Sequence, residues 1–188
     1  MTAGYCRWFR TRFRKMTLVA KKPVALILVL TFFATISAQN KCTAKLTDLP
    51  AAPELSGFRL GMTFDQVKAR VPQVAFGRTD DLGLSRTSIN PYFDPTIDKT
   101  NFEDVRTVSL DFLDGHVTSL WLGYEGSFKW KSVDAFVKGI AQSLRVTGDW
   151  SAKGRGQELR CGDFELSVSM IAGGSSLRIL DLVAAETL

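Results

Sequence analysis

Residues 105–124 constrain the fold more than any other part of this chain. Val108, Leu110 and Phe112 alternate with Thr107, Ser109 and Asp111, the period of a strand with one buried face. Asp114-Gly115 follows, a pair that tolerates positive φ at both positions and so closes a two-residue hairpin. With that loop, Phe112 is expected opposite Val117, Leu110 opposite Ser119 and Val108 opposite Trp121. The expected core face is Val108, Leu110, Phe112, Val117 and Trp121, with Ser109, Asp111 and Thr118 on the other. A second hairpin repeats the logic. Segments 157–161 and 164–171 flank Gly162-Asp163, setting Cys161 opposite Phe164 and Leu159 opposite Leu166. Gly173-Gly174 then turns the chain into a last strand over 176–183, and one more strand is expected within 82–89. Residues 151–156 read as a turn.

Two amphipathic helices complete the pattern. Thr63 can cap the first, with Gln66 reaching back to form a capping box and Met62 and Val67 at the staple positions. Phe64, Val67 and Val71 share a face, and Pro72 disfavours helical geometry at Val71. In the second helix Ser132 is the cap, and Val133, Phe136, Val137, Ile140 and Leu144 form the apolar stripe. Gly139 inside that stripe weakens the helix by about 1 kcal/mol relative to Ala. The element order predicts an α+β fold: two amphipathic helices packed on one face of a single antiparallel sheet of five to six strands. Each helix precedes a meander, as a tandem αβββ repeat would have it. The sheet's other face is left for solvent or a partner.

The N-terminal part reads as an address. Residues 1–38 hold seven Lys/Arg and no Asp or Glu. Of 24 basic residues, 24 − 7 = 17 remain against 19 acidic, a net of −2, so no basic domain offers nucleic acid an electrostatic footprint. Within this leader the uncharged run 24–38 ends in Ser37-Ala38, the form of a signal peptide, starting at Met1 or Met16. The alternative is an uncleaved inner-membrane anchor over 24–38. The expected location is therefore periplasmic or secreted. Residues 39–57, with Pro50 and Pro53, read as a linker, and residues 58–188 as a single α+β domain. Cys6 belongs to the leader, which leaves Cys42 and Cys161 as an even pair suited to a disulfide in an oxidising compartment. Cys42 follows Ala-Gln-Asn-Lys, which is not a lipobox.

Catalytic patterns are sparse. His116 is the one histidine, directly after the hairpin glycine, and reads as an exposed turn residue. No Gly-x-Ser-x-Gly elbow, P-loop or dinucleotide fingerprint occurs, so no cofactor or metal is implied. Asp94, Asp98, Glu103 and Asp104 cluster in a proline-containing loop without calcium-loop spacing. They could serve a hydrolase together with Asp111 or Asp114. Tyr124, Phe128 and Trp130 surround the entry to the second helix and form a candidate contact patch, or else cover the end of the sheet.

The segment from Leu60 to Val67, Leu-Gly-Met-Thr-Phe-Asp-Gln-Val, resembles the Gly-Met-Thr-x-x-x-Val helix start of the small outer-membrane assembly lipoproteins, the SmpA/OmlA or BamE-like group. That group shares its architecture with the tandem-repeat β-lactamase inhibitor proteins. The resemblance implies a capped helix before an antiparallel sheet and a role in protein–protein binding without catalysis. The expected function is therefore that of an exported envelope protein that binds another envelope protein. The alternatives are an envelope hydrolase using the loop carboxylates, and a small-ligand or lipid-binding domain.

Overall fold

The computed structural model describes residues 41–125, 129–171 and 174–187. The leader over 1–38, with its apolar run and Cys6, lies outside the described residues, and so does Phe128. The chain forms α1 (Phe64–Arg70), β1 (Leu84–Ile89), β2 (Val105–Leu113), β3 (His116–Tyr124) and α2 (Val133–Leu144). It continues with β4 (Ser151–Lys153), β5 (Gly156–Arg160), β6 (Phe164–Ile171), β7 (Gly174–Asp181) and α3 (Leu182–Ala185). All strands join one antiparallel sheet in the order β1-β2-β3-β7-β6-β5-β4. Strand β7 is central and pairs with β3, and these two are the last strands of the two meanders.

The α+β reading with one antiparallel sheet holds, with two corrections of detail. The sheet has seven strands rather than five to six. The addition is β4, whose Ser151, Ala152 and Lys153 are all exposed at the sheet edge. With no buried face, an edge strand of this length has no alternation to read. There is also a third helix. Strand β7 stops at Asp181, whose Oδ1 accepts from the N–H groups of Val183 (2.9 Å) and Ala184 (3.0 Å) and so caps α3. That takes Val183 out of the expected last strand.

One face of the sheet carries the core. Leu110, Leu120, Leu122, Leu166 and Leu177 are buried there with Val67 of α1 and Phe136, Ile140 and Leu144 of α2. The capping box of α1 is present in both directions. Thr63 Oγ1 accepts from Gln66 N at 3.3 Å, and Gln66 Oε1 accepts from Thr63 N at 3.0 Å. Phe64 stacks on Phe112 with centroids 4.5 Å apart and meets Phe76 edge-on at 4.7 Å, which fixes α1 to β2. Ser132 Oγ caps α2 by accepting from Ala135 N. The indole of Trp130 occupies the space that a Cβ on Gly139 would fill, which accounts for a glycine inside the helix.

The stretch expected as a linker contributes buried side chains to the domain. Cys42, Ala52, Leu55 and Ser56 are buried, and 3-10 turns form at Leu46–Asp48 and Pro53–Leu55. Cys42 is disulfide-bonded to Cys161 at the end of β5, with Cα atoms 4.6 Å apart. Leu46 N donates to Asp163 Oδ1 at 2.8 Å. Two tethers in one turn of chain hold this arm to the domain.

Candidate functional site: the open face of the sheet

The second hairpin has the expected register, with Leu159 opposite Leu166 and Cys161 N donating to Phe164 O. The first has it only as far as Phe112 and Val117. Asp114 (φ 49°) and Gly115 (φ 78°) form the turn, and Phe112 pairs with Val117. Asp111 then pairs with Ser119, so Thr118 is an extra residue, a β-bulge. One inserted residue reverses every later side chain of the strand. Leu120, Leu122 and Tyr124 turn inward, and Trp121 turns outward. The expectation that Trp121 belongs to the core opposite Val108 is overturned: Val108 faces Leu122, and Trp121 pairs with Ser109 and Arg178.

This puts Trp121 in the middle of the face away from α1 and α2. Across all seven strands one row reads Ser88, Ser109, Trp121, Arg178, Ser167, Glu158 and Ser151. The next row reads Thr107, Gly123, Ser176, Ser169, Gly156 and Lys153. Trp121 lies across Gly123, where a Cβ would come within 2.6 Å of its ring. From Gly123 to Gly156 the second row is therefore a shallow trough of small side chains beside a partly exposed indole. Ser169 and Ser176 are joined through their hydroxyls at 2.8 Å.

Charge on this face is mostly paired. Arg86 Nε donates to Asp111 Oδ1, which raises the guanidinium pKa further. Lys153 lies between Glu158 and Glu165, and hydrogen bonds to the two carboxylates raise its pKa. Arg160 and Arg178 form no ion pair among the described residues. Arg178, next to Trp121, donates from Nε to Ser119 Oγ at 3.3 Å.

Of the aromatic patch expected at the entry to α2, Tyr124 and Trp130 are described. Tyr124 is 1% exposed and packs edge-on against Phe136, with its hydroxyl donating to Glu54 O at 3.0 Å. Burial, and then the Glu54 charge, push its pKa up. Trp130 is partly buried, stacked on Phe136 at 5.2 Å with Lys129 Nζ 4.5 Å from its ring centroid. Tyr124 and Trp130 thus cover the end of the core, and Tyr124 offers a partner no surface. Glu54 joins them by accepting from Lys129 Nζ at 2.8 Å.

The hydrolase carboxylates are not drawn into one cleft. Asp111 lines a depression on the open face, whereas Glu103 and Asp104 line a different one. Asp94 and Asp98 each accept from the side chain and backbone N–H of the threonine two residues on, which holds their pKa values below the ordinary range. A general acid needs the opposite shift. His116 is exposed at the start of β3, its Nδ1 2.9 Å from Asp114 O. Among the described residues no group of three His, Cys, Asp or Glu could hold a metal ion.

The chain matches no family model, no curated protein and no solved structure. The reading of the site rests on its geometry. Trp121 and Arg178 are the residues that sequence reasoning missed. For Trp121 the signal is the Val117–Leu120–Leu122 spacing, which breaks a strict period of two, and for Arg178 it is the alternation with Leu177 and Ile179.

Proposed function

We propose that this chain is an exported envelope protein whose open sheet face docks another protein, with Trp121 and Arg178 at the centre of the contact. The observation that carries this reading is the outward Trp121 beside an Arg178 without a carboxylate, set in a field of serines and glycines. Trp and Arg supply binding energy out of proportion to their number, and small neighbours let a partner approach closely. Export is supported by the basic leader with its uncharged run and by the Cys42–Cys161 disulfide, a bond that persists in oxidising compartments. The tandem αβββ arrangement of the inhibitor-like proteins is part of the proposal. Its support is the pairing of β3 with β7, each the last strand of a helix-led meander. The test is affinity capture from envelope extract with the wild type and with Trp121→Ala and Arg178→Ala. A partner recovered by the wild type and lost from both variants, whose melting temperatures are unchanged, is the expected result. Recovery that both variants leave intact refutes the reading.

A further inference from the structure

At one end of the open face lies a depression of about 550 Å³, a size that suits a small organic ligand. Arg78 and Asp80 reach it because residues 75–80 run along the outer edge of β1. Gly77 N donates to Arg86 O at 3.1 Å, Asp80 N donates to Leu84 O at 2.9 Å, and Thr87 Oγ1 donates to Ala75 O. That course brings Arg78 to the same hollow as Arg86 and Arg178. Three carboxylates also line it, but each is already engaged. Asp80 Oδ1 accepts from Leu82 N (3.0 Å) and Leu84 N (2.8 Å), and Asp181 Oδ1 caps α3. Asp111 pairs with Arg86. Arg78 and Arg178 have no such partner among the described residues. Their guanidinium forks suit a bidentate oxyanion, and Leu84 and Leu180 supply an apolar wall beside them.

We propose that this hollow is a binding site for a small organic acid, with its carboxylate or phosphate held by Arg78 and Arg178 and a short apolar body against Leu84 and Leu180. The site goes beyond the docking reading and stands without it. The test titrates the full mature protein with octanoate, octyl phosphate and uncharged octanol while following the Arg Nε–H resonances by NMR. Saturable shifts of Arg78 and Arg178 with octanoate, with octyl phosphate or with both are expected, and which acid binds identifies the head group. Arg78→Gln and Arg178→Gln are each expected to weaken binding about tenfold, the scale of a lost charge-assisted hydrogen bond. Both residues are exposed, so the fold tolerates the changes. Three results overturn the proposal: no shift with either acid at millimolar concentration, equal affinity in the double variant, or octanol binding as tightly as the acids.

Discussion

The indole of Trp130 lies against Gly139, in the space that a Cβ at position 139 would need. Helix propensity alone says that Gly139→Ala stabilises α2 by about 1 kcal/mol. The packing says the reverse, because Trp130 is stacked on Phe136 at 5.2 Å and cannot swing aside without losing that contact. The expected outcome is a loss of roughly 1–3 kcal/mol from overpacking, read as a lower urea midpoint. A gain in stability would show that the indole has room to move.

Glu54 links the N-terminal arm to the segment leading into α2. Its side chain is 7% exposed. Burial alone raises its pKa, but the hydrogen bonds from Lys129 and the backbone outweigh it, and the carboxyl titrates below its ordinary value of 4.5. A carboxyl depressed in the folded state contributes stability that is complete above the unfolded pKa and is lost as pH falls through the folded one. Glu54→Gln is therefore expected to cost roughly 1.5–3 kcal/mol at pH 7. The gap between wild type and variant should close as acid unfolding curves are followed below pH 4.5. A gap independent of pH would assign the loss to packing instead.

The disulfide spans 119 residues of sequence and fastens an arm that contributes buried side chains. Replacing both cysteines by serine frees a long loop in the unfolded chain and is expected to cost roughly 2–5 kcal/mol. Denaturant unfolding of the variant, compared with the oxidised wild type, measures it. An unchanged midpoint would mean that the Leu46–Asp163 hydrogen bond and the burial of Leu55 hold the arm unaided.

The parts of the fold with a strong local signal were readable from the residues. The α2 stripe, the Thr63 capping box, the Asp114-Gly115 turn and the Leu159–Leu166 register all depend on neighbours in sequence, and all occur as expected. The misplacement of Trp121 has one cause. At Thr118 a single extra residue changes the face of everything after it, and only the partner strand reveals which residue is extra. Trp121 is thus expected in the core and lies on the open face. Edge strand β4 and the packed arm escaped for a related reason. Ser151, Ala152 and Lys153 bury nothing, while Cys42 and Leu55 are buried by strands far along the chain.

Trp121 lying over Gly123 gives a check on the site that needs no partner. Gly123→Ala is expected to lift the indole from the trough, because the new Cβ would come within 2.6 Å of the ring. Trp121 then becomes more accessible to a fluorescence quencher, with a modest loss of stability of roughly 1 kcal/mol from overpacking. Quenching identical to that of the wild type would contradict the placement of the ring.

Photo-crosslinking in intact cells tests the docking face most directly. A photoreactive side chain at Ser109 or Ser176, which flank Trp121 on the open face, is compared with one at Lys138, exposed on α2. The account predicts a discrete protein adduct from positions 109 and 176, abolished by Trp121→Ala, and none from position 138. An adduct from position 138 alone, or adducts from 109 and 176 that Trp121→Ala leaves unchanged, would contradict it.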